Sequence, residues 1–334
     1  AHDCRNNRLA WLWLQQDGFI AAVEAAIARY GRRRVGVFLG TSTAGILQTE
    51  LAYRRRDPVS GALPDDFIYA TTHNTYSVAG FVREALGLEG PAMVVSTACS
   101  SSAKVFGSAA RMMAAGLIDA AVVGGVDSLC LTTLYGFNSL ELLAPEPCRP
   151  FDAGRNGLSI GEAAAFVLLE RPADNLPADA VLLLGVGESS DAHHMSSPHP
   201  DGLGARMAMA GALQTANLQP TDIDYINLHG TATPGNDAAE GKAVAALFGE
   251  RTPCSSTKGA TGHTLGAAGG VEAIVCALAL QHGFLPGGCN TRQLDPEIPI
   301  HYLTANVEIA PRRVLSNSFG FGGTNCSLVL GRAG

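Results

Sequence analysis

Charge is scarce in this sequence, and what there is shows no basic excess. Only 16% of the 334 residues are Asp, Glu, Lys or Arg, and 23 basic residues face 30 acidic ones. The resulting formal charge of −7 excludes nucleic acid as the main partner, because phosphate-binding surfaces need a net cationic footprint. Basic residues cluster locally at Arg32, Arg33 and Arg34 and at Arg54, Arg55 and Arg56, and both runs read as solvated surface, with docking of an acidic protein as the alternative. No two of the eight cysteines form a C-x-x-C pair, so zinc ribbons and dithiol redox motifs have no support. Cysteines set in apolar runs, such as Cys276, act as small core hydrophobes, and their scatter is that of a reducing compartment. No apolar run reaches the ~18 residues a membrane span needs, and no secretory pattern opens the chain. The expectation is a soluble, cytoplasmic protein with no membrane span and no metal site.

Apolar residues and glycine are plentiful: 47% of the chain is hydrophobic and 39 residues are glycine. That suits a large α/β protein with a generous core, and the length fits two domains or two fused halves. The chain also repeats itself. A buried strand over residues 35–40 runs into Gly40-Thr41-Ser42-Thr43-Ala44-Gly45, and a strand over 223–229 runs into Gly230-Thr231-Ala232-Thr233-Pro234-Gly235. In both copies the next strand leads into a helix of small residues, expected over about 99–116 and 265–281. Two matches in the same order indicate a duplicated unit, with an N-terminal half over 1–172 and a C-terminal half over 173–334.

Other strands, such as 120–126, 163–169 and 181–186, are continuous apolar runs, as in sheets covered on both faces. The helix after Cys99, with Ala103, Gly107, Ala109 and Ala110, has no polar stripe and little bulk. The helix from Leu265 is alike, so both are expected between two sheets.

Three residues could carry chemistry. Cys99 stands where a strand stops and a helix begins, and free N–H groups and the positive end of a helix there favour thiolate. The same N–H groups could hold an oxyanion. His229 and His263 each follow the strand that precedes a helix, where open α/β sheets place their sites. His2, His282 and His301 lack that context and read as surface.

Thr97-Ala98-Cys99-Ser100-Ser101-Ser102 resembles the nucleophile motif of the β-ketoacyl-acyl carrier protein synthases. The segment His229 to Asp237 resembles that family's first histidine motif, and Lys258 to Gly269 its lysine and second histidine motif. Asn317 to Asn325 resembles its glycine-rich C-terminal motif. Further likenesses lie at Arg149 to Asp152, at Gly161-Glu162 and at Ser190 to Pro198, so the resemblance runs from about Val35 to Leu330. It implies a thiolase fold, a layered αβαβα sandwich, and decarboxylative Claisen condensation in fatty-acid or polyketide synthesis.

The resemblance also implies roles. Cys99 would hold the acyl group, His229 and His263 would stabilise the decarboxylating malonyl thioester, and Lys258 would orient them. The N–H groups of Cys99 and Phe321 would form an oxyanion hole, and Glu272 would support the lysine and histidines. Thr231 and Thr233 would bind phosphopantetheine, with Phe319 and Phe321 as a gate. No cofactor is implied beyond that carrier-borne arm. Acyl carrier protein is the implied partner, together with a second synthase subunit in a homodimer or heterodimer.

The stretch from Cys99 to Lys104 is also similar to synthases of aryl polyene pathways. Two other readings are a non-catalytic partner subunit and a thiolase-type enzyme, the latter needing a second cysteine, for which Cys326 is the candidate. Three departures stand out. The apolar strand and glycine turn with which the family normally begins are expected to be missing here, most simply because disordered or trimmed residues are omitted, with a reduced variant as the alternative. Lys104 puts a charge into a small-residue helix, and the polar segment 65–76 is expected to wall the acyl pocket and the subunit interface.

Overall fold

The computed structural model describes residues 2–333. The N-terminal half begins with two helices, α1 (Arg5–Leu14) and α2 (Phe19–Tyr30), which cover one face of a sheet. Then come β1 (Val35–Gly40), α3 (Ile46–Arg54), α4 (Ser77–Ala85), β2 (Ala92–Val95) and α5 (Ser101–Ala114). The half ends with β3 (Ala120–Asp127), α6 (Leu131–Ser139) and β4 (Ala163–Glu170). The C-terminal half starts at β5 (Val181–Ser190) and continues through α7 (Leu203–Ala216), β6 (Tyr225–Asn227), α8 (Pro234–Phe248) and β7 (Pro253–Ser255). A one-turn α9 (Lys258–Thr261), then α10 (Ala268–His282), β8 (His301–Tyr302), β9 (Arg313–Gly320) and β10 (Thr324–Arg332) complete it.

The duplication read from the sequence is visible in the topology. The first sheet runs β2-β1-β3-β4, with β1 parallel to both neighbours and β4 antiparallel to β3. The second contains β7-β6-β9-β10 with the same directions. It is larger, because β8 extends one edge and β5 pairs antiparallel to the outer side of β10. The corresponding outer side of β4 carries no strand among the described residues.

Helices α5 and α10 lie side by side between the sheets, and their small residues are what allow it. A Cβ on Gly269 would meet Ala103 and Ser318 at 2.8 Å, and one on Gly40 would stand 2.3 Å from the Ser102 nitrogen. The middle layer is sealed by Phe38, Phe106, Tyr225, Leu280, Cys276 and Leu328, all buried. Each large apolar side chain of this kind contributes about 1.5–3 kcal/mol by leaving water. The second sheet's outer face packs against α7 and α8. Together with a short turn before it, α10 makes an 18-residue apolar stretch, Leu265–His282, long enough to cross a membrane by composition. That corrects the expectation of no such run. Its seat between two sheets makes it a core helix.

Several surface expectations change. His282 and His301 are exposed, but His2 is half-buried, packs against Phe81 and lies 3.3 Å from Glu84. Lys104 has a clear account: its ammonium lies 3.6 Å from Glu188 on β5, which Arg111 also contacts, so it ties α5 to the second sheet. Cys326 is a fully buried strand residue on β10.

Candidate active site

The nucleophile sits in a strained turn. Ala98 adopts φ +52°, a conformation that costs a non-glycine residue free energy and persists only where surroundings impose it. Here the surroundings are hydroxyls. Ser101 Oγ bonds the Ala98 carbonyl at 2.6 Å and the Thr97 N–H at 2.9 Å, while Thr324 Oγ1 reaches the Thr97 carbonyl at 3.1 Å. The result aims Cys99 away from its strand and just ahead of α5, which starts at Ser101 rather than at the cysteine itself.

Two histidines arrive from the other half. His263 Nε2 lies 2.9 Å from Cys99 Sγ, and the His229 ring meets the His263 ring edge-on at 5.3 Å. All three are buried, and their nitrogen and sulfur atoms lie within 4.8 Å of one another. A soft metal ion could bind there only by displacing the sulfur–imidazole hydrogen bond.

Lys258, itself buried, sends its ammonium to the His229 carbonyl at 2.6 Å, to His229 Nδ1 at 3.4 Å, and to Glu272 Oε1 in a short contact. An ammonium is a donor only, so His229 Nδ1 accepts and the ring's proton sits on Nε2, facing the site. The backbone of His229 is fixed from the other side, since Glu240 accepts the N–H groups of His229 and Gly230, each at 2.8 Å.

Electrostatics follow from burial. Both histidines are held well below their usual range, first by burial and then by the Lys258 charge, so both rings are neutral, each with one donor and one acceptor nitrogen. Burial pushes Glu240 and Glu272 up to about 7, although Lys258 pulls Glu272 down. The Cys99 thiol is pushed up to about 11, with burial outweighing Lys258 and the Phe321 N–H. This corrects the expectation of a resting thiolate: the helix start is present, but water is excluded. The thiol is protonated at rest, and the neighbouring imidazole is the acceptor it needs.

A cavity of about 520 Å³ opens onto these groups. Thr231 and Thr233 line it, their hydroxyls 2.8 Å apart, as do Phe319 and Phe321. The Phe319 ring lies 5.8 Å from His229. The backbone N–H groups of Phe321 and Cys99 both face the Cys99 sulfur. Phe321 occupies a turn in which Gly322 and Gly323 have φ +79° and +75°, and its ring stacks on Phe137 of α6 at 5.5 Å. Every site residue expected from the sequence is thus in one place. The segment 65–76 is not: none of it lines this cavity, and Ile68, Tyr69 and Tyr76 are exposed instead. Glu240 and Phe137 were not anticipated. A glutamate eleven residues beyond the histidine, inside a helix of small residues, is the signal that could have found the first.

The β-ketoacyl synthase N-terminal domain matches residues 10–175, and the β-ketoacyl synthase C-terminal domain matches residues 180–292. Over 269 residues the chain is 40% identical to a mitochondrial 3-oxoacyl-[acyl-carrier-protein] synthase of Arabidopsis thaliana, covering 75% of this chain and 58% of that protein. It is 38% identical over 340 residues to a 3-oxoacyl-[acyl-carrier-protein] synthase 2 of Rhizobium meliloti, covering 94% of this chain and 79% of the relative. Among solved structures it is similar to a ketosynthase in complex with its chain length factor from Xenorhabdus doucetiae. That match has 45% identity and a TM-score of 0.91 over 99% of this chain and 82% of the other. Two sheets enclosing two central helices are the thiolase fold shared with such ketosynthases. The chain belongs to the β-ketoacyl synthase family of acyltransferases.

Proposed function

We propose that this protein joins an acyl group held on Cys99 to a malonyl group on acyl carrier protein, with loss of carbon dioxide. The observation that carries this is a buried thiol within hydrogen-bond reach of one neutral imidazole and beside a second whose Nε2–H is fixed by a lysine. In the first step Cys99 Sγ attacks the acyl thioester carbonyl. The thiol proton passes to His263 Nε2 and on to the departing phosphopantetheine thiolate. In the second, the malonyl carboxylate leaves as carbon dioxide, and the electron pair it leaves behind forms an enolate.

The enolate oxygen takes a hydrogen bond from the Nε2–H of His229, and one from His263 in the tautomer that carries its single proton on Nε2, open once Cys99 is acylated and no longer donates to that atom. Neutral donors suit this task, because they stabilise developing charge without first attracting the malonyl carboxylate. The enolate carbon then attacks the acyl carbonyl on Cys99, whose oxygen is received by the N–H groups of Cys99 and Phe321. Collapse expels the Cys99 sulfur as thiolate, which takes up one proton from water, the proton the overall reaction consumes, and leaves a β-ketoacyl chain on the carrier. Thr231 and Thr233 hold the phosphopantetheine arm, and Phe321 gates the acyl cavity. No cofactor beyond that arm is required.

The same reading extends to partners. Among the described residues strand β2 pairs only with β1, and Met93 on it is 45% exposed. An apolar edge strand of this kind favours pairing with another chain. A related subunit, as in the Xenorhabdus complex, suits it, and the similarity of Cys99 to Lys104 to aryl polyene synthases favours polyene-type acyl chains in the cytoplasm. The test is product formation from acyl- and malonyl-carrier protein with the purified chain, alone and with such a subunit. Carbon dioxide released in step with a β-ketoacyl product supports the proposal. An acyl product formed from two acyl thioesters, with no need for malonyl, would indicate a thiolase-type reaction instead.

A further inference from the structure

Strand β3 is apolar and wholly buried from Ala120 to Val126, and it ends in a buried acid, Asp127. A carboxylate without water needs a cation or a set of donors. Among the described residues Asp127 has no ion-pair partner. Five donors surround it instead: Thr41 Oγ1 at 2.7 Å, the Ser42 N–H at 2.8 Å, the Thr43 N–H and Oγ1 each at 2.8 Å, and the Gly266 N–H at 2.5 Å.

These donors come from two places that matter. Gly266 follows His263 by three residues, beyond Leu265, which is held at φ +54°. A Cβ at position 266 would meet Asp127 Oδ2 at 2.8 Å and Ser42 Oγ at 2.7 Å, so only glycine lets this loop come so near. On the other side, Ser42 donates its N–H to Asp127 and its Oγ–H to the Ala98 carbonyl at 3.2 Å. Ala98 is the strained residue next to the nucleophile. A chain of short contacts therefore runs from Ala98 through Ser42 and Asp127 to Gly266. It joins the backbone behind Cys99, in one half, to the backbone behind His263, in the other.

We propose that Asp127 is a positioning residue for the reaction, a single buried carboxylate that sets the separation of the Cys99 sulfur and the His263 imidazole. It touches neither substrate nor reacting atoms. Its effect is geometric first, since a hydrogen-bonded thiol–imidazole pair tolerates little displacement. It is electrostatic second: burial pushes the Asp127 carboxyl up while its Thr41, Ser42 and Thr43 donors pull it down, and its negative charge opposes thiolate formation at Cys99, where Lys258 favours it and His229 and His263 also face the sulfur. This inference rests on the condensing reading for its consequences, but not for its test.

The substitutions are Asp127→Asn and Ser42→Ala. Asparagine keeps the shape and one acceptor oxygen, but removes the charge and turns an NH₂ against the N–H of Gly266 or Ser42. The primary readout is the pH midpoint of Cys99 alkylation by iodoacetamide, which needs no acyl substrate, with circular dichroism to count folded protein. The midpoint of Asp127→Asn is expected to fall by about 0.5 or more on the pH scale, as removal of a nearby negative charge requires. Turnover per folded molecule is expected to fall roughly tenfold or more. Ser42→Ala, which cuts only the link to Ala98, is expected to lower turnover less and leave the midpoint in place. An unchanged alkylation midpoint in folded Asp127→Asn, or turnover lost only in proportion to unfolding, overturns the proposal. If wild type accepts no thioester at all, the condensing reading fails while the alkylation comparison still judges Asp127.

Discussion

The two halves share strand order and strand directions, yet they bring different things to the site. The N-terminal half contributes a thiol on a strained turn, held by hydroxyls. The C-terminal half contributes two histidines, a buried ammonium and two buried glutamates. Their burden of unsatisfied polarity differs in the same way. Among the described residues, buried side-chain atoms without a hydrogen-bond partner include both ends of Asn227, Ser318 Oγ, Glu272 Oε2 and His263 Nδ1, all in the second half around β6, β9 and α10. In the first half such atoms, among the described residues, lie at His2, Asn6 and Asn7 near the start of α1, and at Arg155 Nε, 3.7 Å from Asp237. One scaffold thus serves two uses: the first copy is packed mainly for shape, and the second carries the electrostatics. Polar groups left short of partners inside a core mark places where function outweighs stability.

The difference can be broken in order of size. Cys99→Ala removes the nucleophile and is expected to reduce condensation by roughly 10³-fold or more while leaving the melting temperature close to wild type, since one sulfur is lost from a packed site. A melting curve beside a turnover assay checks both halves of that statement. Lys258→Met should do the reverse damage: it strands Glu272 without a cation and frees His229 Nδ1. A loss of about 3–5 kcal/mol by denaturant unfolding is expected. Lys258→Met with Glu272→Leu should recover much of that stability and none of the activity.

How far the sequence carries depends on how far apart the contributing residues lie. The repeat is legible because each copy is a contiguous strand, turn and small-residue helix, and local patterns survive in a linear reading. The site residues are legible for the same reason: each sits in its own short motif at a strand end. Asp127 is not, because its partners lie 84–86 and 139 residues away and only the fold joins them. Lys104 was likewise unreadable until β5 brought Glu188 alongside. The state of the Cys99 thiol was misjudged because a helix start argues for thiolate, while the burial that reverses it is a property of three packed layers. Segment 65–76 does not wall this cavity: polarity cannot tell a cavity wall from an exposed surface, and its exposed Ile68, Tyr69 and Tyr76 are what the subunit-interface part of the expectation requires.

Smaller effects sharpen the contrast. Gly269→Val forces α10 away from Ala103, and overpacking of this kind costs about 1–3 kcal/mol; the sign is checked by urea unfolding. It acts on the seam between the halves, so activity should fall together with stability rather than ahead of it. The least effect belongs to Glu240. Its folded pKa, about 7, stands above the ordinary carboxylate value. Such a group contributes stability that is complete at acid pH and is lost as pH rises through about 7. The melting temperature of wild type relative to Glu240→Gln should therefore decline between about pH 5 and about pH 8. A flat difference would mean that the carboxylate is not protonated in the folded protein.

The central claim is that a neutral, buried Cys99 is acylated with the help of a histidine from the other half. Intact-protein mass spectrometry after incubation with an acyl-carrier-protein thioester tests it most directly, with wild type, Cys99→Ala and His263→Ala side by side. The expected result is a gain of one acyl group on wild type, none on Cys99→Ala and a slowed gain on His263→Ala, with the wild-type adduct lost when malonyl-carrier protein is added. An adduct that forms on Cys99→Ala, or none on wild type with any thioester, would contradict it.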